Sequence, residues 1–410
     1  VGRLAVIDRT LLAGDVAGDV AWSTIRRRTS MPVARAAVIG AGTMGAEIAQ
    51  VIAEQGVPVT LKDVSPEFLD RGMQHLEALF RRRVERGRLS AEEAAARLAL
   101  VTPTLSDEGL GEADFVIEAV PERLALKEAV FAELNRVCKP EAILATNTSS
   151  LSVSRLAVAS GRPGQVVGFH FFNPASVMKL IEVIVTPQTS PETVQTTLDF
   201  GRRIGKLPVR VKECPGFLVN RILVAGMAEG MRYHVENDAT IASVDAALRE
   251  KAALPMGPFQ LADLVGLDVL LEIGDILEAA YGERFAMPPI LRELVAQGRL
   301  GAKNEGGFYA KDGTPIALGS RPADPDLLVQ QVMAASFLEA YRCLEEGIAA
   351  APDIDVAMQA GAGWAVGPLA WAEQVGLGNV VALLRELAAK VGPRFTPPAS
   401  LVALAERGGS

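Results

Sequence analysis

Cysteine and histidine are both scarce in this chain, at three each among 410 residues. Cys138, Cys214 and Cys343 lie far apart and form no CxxC. An odd, scattered set excludes a disulfide framework and offers no zinc-ligand spacing, so a reducing, cytoplasmic setting without a bound metal is the expectation. Long apolar runs are missing too, none approaching the roughly 18 residues of a membrane span. Positive charge is in deficit. A net charge of -8 and a pI near 5.2 argue against nucleic acid or an anionic membrane as a whole-surface partner. They leave room for an anionic ligand held locally by backbone N–H groups or lysines. Arg26, Arg27 and Arg28 hint at a targeting segment, but Asp8, Asp15 and Asp19 and the lack of an apolar stretch oppose it. Residues 1–32, ending at Met31-Pro32, read as an N-terminal extension.

What is present is a chain too long for one core, so two or three domains are expected. From residue 33 to about 211 short apolar runs alternate with helical stretches. Strands are expected at 36–39, 57–61, 115–117, 143–145, 166–172 and 180–185, with helices after the first and at 124–138. A charged helical region after the second strand has Phe68, Leu76, Leu79 and Phe80 as its apolar spots. Such alternation implies an α/β Rossmann-type, mainly parallel sheet covered on both faces. After Pro215 strand signals stop and helical periodicity takes over. The stretch from Asp245 through Gly257-Pro258 to Val265-Gly266-Leu267 recurs without a gap from Asp355 through Gly367-Pro368 to Val375-Gly376-Leu377. Glu229 and Arg232 recur as Glu339 and Arg342. Two repeated all-α domains follow from this, at 213–310 and 311–410, behind a nucleotide-binding domain at 33–212.

Gly40-Ala41-Gly42-Thr43-Met44-Gly45 follows the first strand and opens a helix. In such a turn the first glycine makes the bend, the second lets backbone approach a pyrophosphate, and the third lets helix and strand pack closely. Thr43 and Met44 stand at the helix N-terminus, where free N–H groups and the helix dipole favour phosphate. Asp63 ends the next strand, where a carboxylate can receive a ribose hydroxyl and repel a 2′-phosphate. NAD is therefore expected rather than NADP.

His75 and His234 lie in helical stretches and read as surface or packing residues. His170 lies in the apolar run 166–172, and Glu182 is the only charge in 180–185. Both are equidistant from Ser176, so a reversal at 173–179 would set them side by side. Paired burial is tolerable where single burial is costly. The carboxylate would hold the imidazole in one tautomer, as a general base in carbinol oxidation requires.

Gly40 to Gly45, Glu118-Ala119-Val120-Pro121-Glu122, Asn147-Thr148-Ser149-Ser150-Leu151, His170-Phe171-Phe172-Asn173-Pro174 and Pro215-Gly216-Phe217-Leu218-Val219-Asn220-Arg221 stand in order along the chain. With Pro255-Met256-Gly257-Pro258 and the run from Gly298 through Gly307-Phe308-Tyr309, this set resembles the 3-hydroxyacyl-CoA dehydrogenase family. The resemblance spans residue 33 to the C-terminus and marks a long form with a duplicated helical domain. It implies NAD-dependent oxidation of a 3-hydroxyacyl-CoA, as in fatty-acid β-oxidation or hydroxybutyryl-CoA metabolism. His170 would be the base, Glu182 its partner, and Ser149 and Asn220 would bond the reacting oxygen and thioester region. Glu122, Lys127, Asn173 and Lys303 would contact the cofactor side. The position matching Asn220 in the second repeat is Gln330, so that copy looks structural. Basic residues between Arg71 and Arg88 could meet CoA phosphates or form a solvated helical face. A dehydrogenase of free hydroxy acids and a non-catalytic dinucleotide-binding protein are the rival readings. The second helical copy could occupy the surface that pairs short members, so the expectation is either a homodimer or a monomer with an internal pseudo-dimer of helical domains.

Overall fold

A computed structural model describes residues 31–304 and 306–408; the expectation for residues 1–30 lies outside them. The first half is one eight-stranded sheet in the order β3-β2-β1-β4-β5-β6-β7-β8. Its strands are β1 (Ala36–Ile39), β2 (Val59–Lys62), β3 (Val101–Thr104), β4 (Phe115–Glu118), β5 (Ile143–Thr146), β6 (Val166–Phe171), β7 (Leu180–Val185) and β8 (Leu207–Lys212). Every neighbouring pair is parallel except β6 and β7. Five strands, β1 and β4 to β7, are buried at every position, which is why they read as unbroken apolar runs.

The two edge strands are missing from the sequence expectation. β3 carries Pro103 and exposes Thr102, while β8 alternates buried and exposed residues after Pro208. Proline and half-solvated backbone are tolerated at an edge, and they erase the apolar run that marks a central strand. The second strand also starts later than expected, at Val59, because Val57-Pro58 leads into it.

Helices α1 (Thr43–Glu54), α2 (Pro66–Glu85), α3 (Ala91–Leu98), α4 (Leu124–Val137), α5 (Val153–Ala159) and α6 (Pro191–Arg203) cover the sheet. α2 buries Leu69, Gly72, Leu76 and Phe80. Phe68, expected among its apolar spots, is instead 47% exposed, with the Arg71 guanidinium over its ring. A Cβ on Gly72 would stand 2.4 Å from the Ala41 carbonyl oxygen, so α2 rests against the glycine-rich turn.

The second half is all helical and repeats itself. Helices α7 (Val219–Asn237), α8 (Ile241–Lys251), α9 (Pro258–Val265), α10 (Leu267–Tyr281) and α11 (Pro289–Ala296) are followed by α12 (Pro325–Glu345), α13 (Ala351–Ala362), α14 (Pro368–Val375), α15 (Leu377–Lys390) and α16 (Ala399–Gly408). The same carboxylate caps the same helix in each copy. Asp245 accepts from the N–H groups of Phe259 and Gln260 at 3.1 and 3.0 Å. Asp355 accepts from Leu369 and Ala370 at 2.9 and 3.0 Å.

The copies meet along α7 and α12 through reciprocal ion pairs. Arg284 of the first copy reaches Glu339 of the second at 2.9 Å, and Arg394 of the second reaches Glu229 of the first at 2.9 Å. Both arginines and both glutamates are separated by one offset, 284 to 394 and 229 to 339. An equivalent patch used from both sides is the signature of a two-fold interface, here within one chain.

Candidate active site

The turn after β1 builds its phosphate cradle as its glycines demand. Gly40 takes φ +103°, and a Cβ there would stand 2.8 Å from the Ala119 carbonyl oxygen. A Cβ on Gly45 would lie 1.8 Å from the Gly40 carbonyl oxygen, so only glycine allows α1 to pack so close to β1. A Cβ on Gly42 meets nothing within 4 Å. That open face beside the first turn of α1, with Thr43 and Met44, fits a pyrophosphate on backbone N–H groups. Asp63 follows β2 and turns back to this loop. Its Oδ2 accepts from Ala41 N–H at 2.7 Å and its Oδ1 from Val64 N–H at 2.7 Å.

The antiparallel register of β6 and β7 sets His170 directly opposite Glu182. The Nδ1 of His170 lies 2.7 Å from Glu182 Oε2, and its Nε2 lies 3.1 Å from Ser149 Oγ. Glu182 Oε1 accepts two further bonds, from Leu218 N–H at 3.1 Å and Val219 N–H at 2.9 Å. These N–H groups open α7. They are aimed by left-handed backbone at Gly216 (φ +74°) and Phe217 (φ +51°), a conformation uncommon for phenylalanine. Phe172 and Phe217 pack on the imidazole, with centroids 4.8 and 5.7 Å away. An ionised carboxylate only accepts, so Nδ1 carries the proton and the Nε2 lone pair faces Ser149.

Ser149 is held from the other side. Its N–H donates to Glu122 Oε1 at 2.9 Å, and the Thr148 hydroxyl donates to the same oxygen. It caps no helix, since Ser152 caps α5. Burial alone would raise the Glu122 carboxyl, but the Lys127 charge and the donors from Thr148 and Ser149 outweigh it, and the group is held below its ordinary range.

Lys127 is neither a solvated charge nor free to leave. It is 1% exposed and donates to Glu118 Oε1 at 2.7 Å, with Glu122 Oε2 at 3.2 Å. Asn220 stands in the first turn of α7, one residue past Val219, and its side chain bonds no other described residue. Asn173 is exposed at the start of the β6–β7 turn. Lys303 is not brought to this cluster by any contact; its ammonium pairs with Asp268 at 2.7 Å in the first helical copy. Gln330 is exposed on α12. Among the basic residues of α2, Arg83 turns inward to Glu54 at 2.9 Å. His75 sits 3.4 Å from Glu47, and His234 is buried against the Ala239 carbonyl, both consistent with packing roles.

Two residues that sequence reasoning passed over belong to the site. Glu118, fully buried at the end of β4, accepts from Lys127, from Val120 N–H at 2.7 Å and from the Thr146 hydroxyl at 2.7 Å. It is the single charge of an apolar strand, the same signal that exposes Glu182. Asn147 Oδ1 accepts the Phe171 N–H at 2.8 Å, tying the end of β5 to the strand that carries His170.

A dinucleotide cradle at the carboxyl ends of parallel strands, with a histidine–glutamate couple beside it, defines an NAD-dependent oxidoreductase class. The chain belongs to the 3-hydroxyacyl-CoA dehydrogenase family. The NAD-binding domain of that family matches residues 35–214, and its C-terminal domain matches in two segments, 216–311 and 328–409. The chain is 32% identical to the 3-hydroxybutyryl-CoA dehydrogenase of Escherichia coli K12, covering 92% of this chain and 99% of that one with a TM-score of 0.86. The (S)-3-hydroxybutyryl-CoA dehydrogenase of Ralstonia eutropha is 33% identical, over 68% of this chain and 99% of its own, with a TM-score of 0.66. The fatty acid oxidation complex subunit alpha of Shewanella amazonensis is 39% identical over 395 residues, which span 92% of this chain but 56% of that protein. Among the described residues, no helix is long and apolar enough to cross a membrane.

Proposed function

We propose that the chain oxidises 3-hydroxyacyl-CoA thioesters to 3-ketoacyl-CoA with NAD, reversibly. The observation that carries this is His170 held between Glu182 and Ser149, at the same carboxyl edge of the sheet as a turn whose Gly42 leaves room for a pyrophosphate. Gly40, Gly42, Thr43, Met44, Gly45 and Asp63 would hold the dinucleotide, with Asn173 and Glu122 at its nicotinamide end. NAD, when bound, supplies the acceptor for the hydride leaving the substrate carbinol carbon. His170 Nε2 takes the hydroxyl proton, so the C–O bond becomes a carbonyl as the charge passes to the imidazole. Glu182 then stabilises that imidazolium without moving, because two α7 N–H groups already fix its other oxygen. Ser149 and Asn220 bond the reacting oxygen and the thioester. Lys127 serves by holding Glu118 and Glu122 in place. We assign the nucleotide-binding domain to 33–212 and the helical domains to 213–310 and 311–410, the second of them structural.

Likeness to the Escherichia coli and Ralstonia 3-hydroxybutyryl-CoA dehydrogenases favours a CoA thioester over a free hydroxy acid. The test is His170→Gln assayed with acetoacetyl-CoA and NADH. Turnover should fall at least about a hundredfold, as for a lost general base, while NADH fluorescence still titrates. A variant that keeps wild-type turnover refutes the role, and activity on free acetoacetate alone refutes the thioester.

A further inference from the structure

An apolar cavity of about 50 Å³ opens between the two helical copies, lined by Leu223, Met227, Leu254 and Met256 of the first and by Ala362 and Trp364 of the second. It lies along the same helix as the proposed site. Leu223 and Met227 follow Asn220 by three and seven residues on α7, so they share its face. At 1.5 Å per residue they sit roughly 4.5 and 10.5 Å further along the axis. A second link runs through α13. A Cβ on Gly361 would touch Val219 at 3.3 Å and Phe172 at 3.6 Å, and Phe172 packs on His170. Ala362 and Trp364 follow Gly361 by one and three residues. Leu254 and Trp364 occupy equivalent positions in the two copies, 254 and 364, so the larger residue comes from the copy without a catalytic asparagine.

Resting on the proposed reaction, we propose that this cavity receives the acyl chain and that Trp364, from the second helical copy, sets its length limit. The copy that contributes nothing to the chemistry thereby decides which substrates reach it. Two features make the limit a short one. The volume of 50 Å³ holds only a few methylene-sized groups, at roughly 10–15 Å³ for each water-sized centre. The lining also carries Ser336, whose buried hydroxyl has no partner among the described residues. A chain end driven against it would keep that hydroxyl from water, whereas a short chain leaves it a solvent molecule.

The experiment compares kcat/KM for 3-ketoacyl-CoA substrates from C4 to C16 with NADH, for the wild type, Trp364→Ala and Ala362→Leu, with folding checked by circular dichroism. The wild type should favour C4 and C6 over C10 by at least about tenfold, given the free energy of one methylene in an apolar pocket. Trp364→Ala should raise the C8 to C4 ratio by about tenfold or more, and Ala362→Leu should lower it by a similar factor. A wild type that prefers C10 or longer overturns the proposal, as do folded variants whose profiles run parallel to it. Should Trp364→Ala misfold, Ala362→Leu decides alone. A wild type that reduces no acyl-CoA at all removes the proposed reaction itself, and this inference with it.

Discussion

At the scale of single residues, one carboxylate coordinates three parts of the fold. Glu182 accepts from an imidazole of β6 and from two backbone donors of α7, so the sheet and the helical half are joined at the proposed base. The glycines of the nucleotide turn divide by what a methyl group would meet. Gly45→Ala drives a Cβ into a carbonyl 1.8 Å away, and such overpacking costs about 3 kcal/mol or more. Its Tm should fall by several degrees, at roughly 2–4 °C per kcal/mol. Gly42→Ala meets open space, so calorimetry should find Tm nearly unchanged while NADH affinity weakens. Equal losses of Tm would contradict the division. Asp245 sets a pH dependence. Burial pushes its carboxyl up to about 6 from an ordinary 3.8, against the opposing bonds from Tyr309, Phe259 and Gln260. Between those values the folded state binds more proton than the unfolded one, so stability falls as pH rises through that window. The penalty is complete above about 6 and is on the order of 3 kcal/mol. Urea melts of the wild type should lose stability relative to Asp245→Asn between pH 4 and 6; a pH-independent difference would rule this out.

At the scale of elements, legibility followed burial. The central strands and the β6–β7 reversal could be read because two-sided burial leaves apolar runs in which a lone His170 or Glu182 stands out. Glu118 carried the same mark in β4 and was readable by the same rule. The edge strands β3 and β8 were not, since solvent on one side permits proline and charge. The burial of Lys127 was not legible, because its two carboxylate partners come from one strand end and one loop that only folding brings together. Between helices, the α7–α12 contact depends on Glu339, fully buried and bonded to Arg221 at 2.7 Å, Arg284 at 2.9 Å and Arg342 at 2.8 Å. Burial would raise its carboxyl, but the arginines hold it below the ordinary range. Glu339→Gln removes the charge that three arginines share but leaves Arg221 its bidentate pair with Glu346 at 2.6 and 2.7 Å, so urea denaturation should show a loss of about 1.5–3 kcal/mol, the range for a lost hydrogen bond to a charged group. A loss near that of an exposed pair, under about 1 kcal/mol, would show that the network is not tightly coupled.

At the scale of the whole molecule, the reciprocal Arg284–Glu339 and Arg394–Glu229 pairs join the two helical copies to each other within one chain. The chain should therefore sediment as a monomer of 43.4 kDa; a dimer formed through α7 would contradict this. The Gly40 to Gly45 turn, the alternation that follows it and the copied Asp-Gly-Pro-Val-Gly-Leu pattern are local or periodic features, and the sequence alone determined from them a nucleotide fold with a doubled helical tail. Tertiary structure decided the rest. Which charges are shared, where Asn220 and the apolar cavity lie relative to His170, and that Trp364 lines that cavity all depend on contacts between residues far apart in the chain. Pair geometry across such distances leaves no periodic trace in a single sequence.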